Sequence, residues 1–401
     1  MAAKLIEGAA IIGQSGGPTA VINQSLVGVI EGLRGYKAVK KVYGMRHGVD
    51  GLIKGLPLVD LSTVSSEVLD RISKTPSAAL GSSRAKPTDA DCVKIFDACK
   101  AADIRYFFYI GGNDSSDTCR IVYEMGVSSG YELRCFHVPK TVDNDLVGND
   151  HTPGYGSAAR YVAMAFMADD RDNASLPGIK INVVMGRNAG FLTAASALAR
   201  YKDGVGPHLI YLPEVDFDEQ RFVADVVAVN ERLGRCLVAV SEGVHDQAGV
   251  TVAEKLAERQ ERDAHGNVQL SGSGALGDHL AHLVRVALPK ARVRADTFGY
   301  LQRSFAGCVS AVDAAEARLV GQQAVRYAMA NDSGTVVLQR RPGARYAVST
   351  KLVALSEVAK RTKSLPREWI SAAGNDVKPA FCRYAAPLAG PLPAIGRLTG
   401  R

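Results

Sequence analysis

Apolar runs alternate with amphipathic runs along the whole chain. GAAIIGQ reads as a buried strand and TAVINQSLVGVIEGL as the helix after it. IRYFFYI is followed in the same way by SDTCRIVYEMG, and ELRCFHV by GSAARYVAMAFMAD. IKINVVM, HLIYLPE and RCLVAV add strands, while ALGDHLAHLVRVAL and AAEARLVGQQAVRYAMA add helices. Short, continuously apolar strands suit sheets that are covered on both faces. The pattern therefore predicts an α/β fold of Rossmann-like three-layer type, with mostly parallel sheets between helices. About a dozen strands exceed one comfortable sheet, so two domains are expected. ERQERDAHGNVQLSGSG, near 258 to 274, reads as a surface insertion, and QRRPGARYAVST, near 339 to 350, as a second loose region. In parallel α/β sheets ligands gather beyond the carboxyl ends of strands. The motifs read below as carrying chemistry follow strand-like runs.

The bulk numbers remove several classes of protein. The chain has 401 residues, 47% hydrophobic and 22% charged, which is ordinary for a globular protein. No apolar run reaches the ~20 residues of a membrane span. MAAKLIEGAA lacks a basic segment followed by an apolar run, so no signal peptide is expected. Seven scattered cysteines form no CxxC and no metal-ligand spacing, which suits a reducing cytoplasm. The net charge of +7 is dispersed, and its densest pieces, KAVKK and LQRRPG, are short. Small anionic substrates fit that distribution better than nucleic acid or a membrane surface.

Two glycine patterns are decoys. GSGALG (272 to 277) and GYGSAA (154 to 159) match the dinucleotide fingerprint, but neither follows a buried strand. Both read as helix starts. No Walker pattern occurs. His279 and His282 share a helical face without a third ligand nearby, and read as solvated histidines.

The remaining motifs carry chemistry. In QSGGPTAVINQ the residues Ser15, Gly16 and Gly17 open a helix, whose exposed N–H groups favour an anion. A tight strand-to-helix turn explains the same residues equally well. In IGGNDSSDT two glycines close a strand and Asn113 and Asp114 follow. PKTVDNDLVGND packs Lys140, Asp143 and Asp145 into six residues. One carboxylate there can take a proton, one can hold a cation, and the lysine can neutralise a phosphoryl group. MGRNAGF offers Gly186 for close backbone approach and Arg187 as a planar fork for phosphate. SEGV places Glu242 at a strand end, where it can accept hydrogen bonds from sugar hydroxyls, and RADTFGYLQRS carries Arg294, Tyr300 and Arg303.

SGG, GSSR, GGND, PKTVDND, MGRNAG, SEG and GYLQRS together resemble the phosphofructokinase family in order and approximate spacing, from residue 13 to about 313. Asp114 and Lys140 stand where ATP-dependent members usually carry glycines, and are similar to the signature of the pyrophosphate-dependent branch. The resemblance implies reversible transfer from pyrophosphate to O1 of fructose 6-phosphate. An ATP-dependent enzyme and a non-catalytic anion-binding subunit are the alternatives. It further implies an active site in the cleft between two domains. Residues 1–154, completed by about 302–352, would hold the donor. Residues 155–301, completed by about 353–401, would hold the sugar phosphate.

By the same resemblance Asp143 is the general base. Asp114 sits where a nucleotide's inner phosphate would lie and repels it, and Lys140 compensates charge on the smaller donor. Gly16 and Arg84 match the donor side. Thr141, Val142, Met185, Gly186, Arg187, Glu242, Tyr300 and Arg303 match the sugar-phosphate side, as does Arg294, reaching from a neighbouring subunit. A homodimer or homotetramer follows from that last role. Mg²⁺ is implied, with Asn113 and Asp145 as its candidate partners. ATP-type members carry an arginine at the position of Gly178, and Lys180 is the substitute two residues on.

Overall fold

The computed structural model describes residues 5–256, 274–330, 333–359 and 361–396. Among these, one compact unit is built from the residues up to Tyr155 and from Arg303–Lys363. A second is built from those between Gly156 and Gln302 and from Ser364 onward.

The first unit centres on a seven-stranded sheet. Its strands are β1 (Gly8–Gln14), β2 (Val39–Gly44), β3 (Val59–Asp60), β4 (Ile104–Gly111), β5 (Arg134–Pro139), β10 (Gly334–Arg340) and β11 (Val348–Val353). The spatial order is β11-β10-β5-β4-β1-β2-β3. The five strands from β10 to β2 run parallel, and the two edge strands run antiparallel to their neighbours. β4 shows why its sequence is apolar from Tyr106 onward. Tyr106, Phe108 and Ile110 enter one core layer, while Phe107 and Tyr109 enter the other. Side chains alternate across a strand, so a sheet covered on both faces needs apolar residues at every position.

Helices Ile22–Leu33 and Ala311–Ala328 lie together on one face of this sheet. A side chain at Gly28 would meet the Arg318 carbonyl, and one at Gly321 the Ser25 carbonyl, each at 2.3 Å. Only glycine permits that crossing.

The second unit has a parallel four-stranded sheet in the order β7-β8-β6-β9. Its strands are β6 (Ile179–Val184), β7 (Leu209–Tyr211), β8 (Cys236–Ser241) and β9 (Val293–Thr297). Its core is aliphatic, with Tyr211, Phe217 and Phe222 stacked edge to face at one side.

Of the region expected to be loose, 341–347 carries no strand or helix, while its ends, 339–340 and 348–350, belong to the antiparallel β10–β11 hairpin, in which Arg340 pairs with Val348. Its arginines and Pro342 hid two strand ends that form only by pairing with each other. The chain rejoins the second unit at Ser364 rather than near 353, because β11 pairs with β10 and helix Leu355–Val358 packs on helix Asn113–Ser128. The expected insertion at 258–274 lies, but for Gly274, outside the described residues. Both glycine decoys are helix starts, before Tyr155–Ser175 and Ala275–Ala287. His279 is not merely solvated, since its Nε2 lies 2.9 Å from Glu219 Oε1. No described helix is long and apolar enough to cross a membrane.

Candidate active site

Three loops leave the carboxyl ends of neighbouring parallel strands in the first unit. Residues 15–17 follow β1, residues 112–114 follow β4, and residues 140–145 follow β5. The chain winds from β1 outward to β2 on one side, while β4 lies on the other. β1 and β4 therefore flank the point where the winding reverses, which is where such sheets bind ligands.

Lys140 crosses this crevice. Its ammonium donates to the Gly17 carbonyl at 2.8 Å, so the side chain reaches from the end of β5, past β4, to the end of β1. Gly16 makes room for it. Its φ is +73°, and an added Cβ would lie 3.0 Å from Lys140 Nζ. The GSSR loop is fixed to the same place, since Ser82 Oγ donates to the Gly16 carbonyl at 2.6 Å and Gly16 N–H to the Ser83 carbonyl at 2.8 Å.

Lys140 is 2% exposed. Burial lowers its pKa to about 7, against the pull of Asp143, and the positive charges of Arg303 and Arg84 lower it further. Three cations thus share one electrostatic neighbourhood, a place for a compact polyanion. The sequence grouped Arg303 with the sugar-phosphate contacts. The structure sets its guanidinium beside Gly17, where an added Cβ would lie 2.6 Å from Arg303 Nη1.

Burial lifts the Asp143 carboxyl above the ordinary range, although Lys140, Arg303 and Arg84 pull it back. Its backbone is held by Thr141, whose Oγ1 accepts from Asp143 N–H at 3.2 Å. Val142, between them, is buried. Asp145 is raised to about 7, first by burial and then by the charge of Asp143.

Asp114 is exposed in the first turn of helix Asn113–Ser128. Asn113 Nδ2 reaches Asp145 Oδ2 at 3.4 Å, while Asn113 Oδ1 is buried without a hydrogen-bond partner. That oxygen and the two raised carboxylates fit a hard divalent cation. Mg²⁺ keeps much of its water shell and needs only one or two protein carboxylates beside substrate phosphate. Among the described residues no group of three His, Cys, Asp or Glu could form an all-protein metal cage.

In the second unit the loops after β6 and β8 touch. Gly186 N–H donates to Glu242 Oε1 at 3.3 Å, and Ser241 Oγ donates to the Gly186 carbonyl at 2.5 Å. A Cβ on Gly243 would come within 1.9 Å of the Arg187 carbonyl, so MGR and SEG require each other's glycines. Met185 and Glu242 are buried, and Arg187 Nη2 lies 3.7 Å from Glu254. Tyr300 is 43% exposed.

Arg294 lies on β9 opposite Lys180 of β6. Lys180 is already enclosed by Asp169 at 2.6 Å, Asp296 at 3.5 Å and Asp172 at 3.9 Å, so it is a weaker substitute for a phosphate-binding arginine than its position suggested. Gly178 cannot carry a side chain, because its Cβ would lie 2.4 Å from the Arg292 carbonyl.

Three supporting residues escaped sequence reasoning. His137 is a polar residue inside the apolar run ELRCFHV, and its Nε2–H donates to the Gly111 carbonyl at 2.8 Å. Glu214 ends HLIYLPE as Glu242 ends its own strand run, and accepts from Gly190 N–H at 2.8 Å and Leu365 N–H at 2.9 Å. Lys363 donates to the carbonyls of Asn149 and Asp150, both at 2.9 Å. The first two had a signal in their strands, whereas Lys363 comes from a distant segment and had none.

Residues 9–328 match the family model described as Phosphofructokinase. A pyrophosphate–fructose 6-phosphate 1-phosphotransferase of Rhodospirillum rubrum is 54% identical over 386 residues, 96% of this chain and 95% of its own. One of Halomonas elongata is 37% identical over 94% of this chain and 91% of its own. The crystal structure of a pyrophosphate-dependent phosphofructokinase from Nitrosospira multiformis superposes with a TM-score of 0.84 at 33% identity, covering 98% of this chain and 95% of that one. With the SGG, GGND and PKTVDND loops at three adjacent strand ends and a matching family model across both units, the chain belongs to the phosphofructokinase family.

Proposed function

We propose that this chain catalyses reversible phosphorylation of fructose 6-phosphate at O1 by pyrophosphate, giving fructose 1,6-bisphosphate and inorganic phosphate. The observation that carries the choice of donor is Lys140, whose ammonium spans the crevice from β5 to Gly17. It narrows the space where a nucleotide's inner phosphate would continue, and Asp114 adds a negative charge at the adjoining helix start. Pyrophosphate ends before that point and gains a cation. The near-identical naming of relatives across almost the whole chain supports the same choice.

The sugar O1 attacks the terminal phosphorus of pyrophosphate in line. The new O1–P bond forms as the bridging P–O bond breaks, and inorganic phosphate leaves with the bond's electron pair. Asp143 accepts the hydroxyl proton, a task helped by the raised affinity of its carboxyl for protons. Lys140, Arg84 and Arg303 hold the donor oxygens and balance their charge. Gly16 admits the close approach of the donor, and Thr141 and Val142 fix the loop around Asp143. Mg²⁺, held by Asn113 and Asp145, would supply further charge neutralisation on the donor. Met185, Gly186, Arg187 and Glu242 position the sugar phosphate, with Tyr300 and a neighbouring subunit's Arg294 completing its contacts in a homo-oligomer. The unbridged cysteines suit a reducing, cytoplasmic setting.

A coupled assay with pyrophosphate and with ATP, run in both directions, tests the donor. Turnover with pyrophosphate well above that with ATP is expected. Equal or greater turnover with ATP would overturn the reading.

A further inference from the structure

The loop from Lys140 to Gly154 carries Lys140, Asp143 and Asp145, and its far end closes in a buried ionic cluster that the chemistry above does not use. His151 is 2% exposed. Its Nδ1 lies 2.8 Å from Asp150 Oδ2 and its Nε2 2.5 Å from Glu316 Oε2. When both carboxylates are ionised they have no hydrogen to give, so each ring nitrogen supplies one and the ring is an imidazolium. Burial opposes that charge, but the hydrogen bonds to Asp150 and Glu316 outweigh it and hold the ring above the ordinary histidine range.

The groups around the ring come from several elements. Glu316 belongs to helix Ala311–Ala328. Tyr346, from the β10–β11 connection, donates to Glu316 Oε1 at 2.5 Å, and its hydroxyl lies 3.2 Å from His151 Nε2. Arg340 on β10 donates to Asp150 Oδ2 at 3.1 Å, and Lys363 holds the Asp150 carbonyl. Within the ring's immediate cluster, two carboxylates are matched by the imidazolium and Arg340. Removing one member of such a set leaves an uncompensated buried charge.

The cluster connects to Asp143 through the next residue. Thr152 N–H donates to Asn144 Oδ1 at 3.1 Å, and Thr152 Oγ1 to the Thr141 carbonyl at 2.8 Å. Thr141 and Asn144 flank Asp143, and Asn144 sits at φ +60°, a conformation that needs support from outside. We propose that His151 is a positioning residue for phosphoryl transfer, its doubly hydrogen-bonded ring anchoring the loop so that Thr152 sets the backbone on both sides of Asp143. This rests on the functional reading given above.

When the ring loses a proton, one nitrogen turns a lone pair towards a carboxylate oxygen. A group whose pKa is raised by folding contributes fully below its ordinary value, and the contribution disappears as pH rises through the raised value. The anchor therefore fails on the alkaline side. His151→Gln is expected to lower kcat by about tenfold to a hundredfold, the effect of a slightly misplaced catalytic group. KM for pyrophosphate and for fructose 6-phosphate should change by less than about threefold, because binding groups are untouched. Tyr346→Phe, which keeps the ring, should give a smaller loss in the same direction. NMR of the imidazole in the unaltered protein should show a doubly protonated ring at neutral pH.

Parental kcat in His151→Gln, or a neutral ring by NMR, overturns the proposal. If His151→Gln does not fold, the NMR titration and Tyr346→Phe decide it. If the unaltered protein transfers nothing from pyrophosphate, the functional reading fails instead, and NMR still reports on the anchor.

Discussion

Replacing His137 by glutamine should make the first unit less sensitive to acid. The ring is fully buried on β5, and its Nε2–H donates to the Gly111 carbonyl, which also accepts Lys140 N–H at 3.0 Å. Its Nδ1 has no hydrogen-bond partner, so protonating it would place an unsatisfied N–H in the core. Burial lowers the pKa from 6.5 to about 4, although the Gly111 hydrogen bond opposes the shift, and Lys140 pushes it lower. A base whose pKa falls on folding stabilises the fold above its ordinary value, and that contribution is lost as pH falls towards the folded value.

The full effect is about 3 kcal/mol, at about 1.4 kcal/mol per pKa unit. Between about pH 7 and about pH 5 the expected loss is about 2 kcal/mol. Glutamine can still donate to Gly111 but does not titrate in this range. Hydrogen exchange of the β4 and β5 amides, measured in urea at both pH values, reads the local stability. The acid-induced loss in the parent should exceed that in His137→Gln by about 2 kcal/mol. Equal losses in both would refute a buried neutral ring at this position.

Asp114→Gly combined with Lys140→Gly should weaken pyrophosphate use and admit some ATP, and an unchanged donor preference in the paired assay would count against charge and space as the selector. Gly16→Ala should cost about 1–2 kcal/mol for its left-handed backbone, and should raise KM for pyrophosphate by crowding Lys140 Nζ at 3.0 Å; steady-state kinetics and thermal melting read both effects. Arg187→Lys should raise KM for the sugar phosphate by about tenfold through loss of the planar fork, with KM for pyrophosphate unchanged. Gly178→Arg should destabilise the second unit strongly, because its Cβ would strike the Arg292 carbonyl at 2.4 Å; a melting temperature equal to the parent's would contradict that packing.

The elements were legible where one residue run decides its own burial. IRYFFYI reads as a central strand, since the five apolar residues that follow Arg105 suit a sheet covered on both faces. The β10–β11 hairpin was not legible, because its ends are polar and exist only through mutual pairing. Among site residues the same division holds. PKTVDND announced itself by packing charge and amide into a strand-end loop. Arg303 stood out in its motif, but not as a neighbour of Gly17, more than two hundred positions earlier in the chain.

By itself the sequence determined the α/β class and which types of group stand in the loops at strand ends, since these follow from local periodicity and residue identity. Tertiary structure alone decided which groups share an environment. Lys140 became a bridge to Gly17, and Lys180 a member of an acidic cage, only when distant strands aligned. Burial lowered the proton affinity of His137, while hydrogen bonds to Asp150 and Glu316 raised that of His151 against burial, because desolvation and hydrogen bonding act over a few ångströms in space, whatever the separation along the chain.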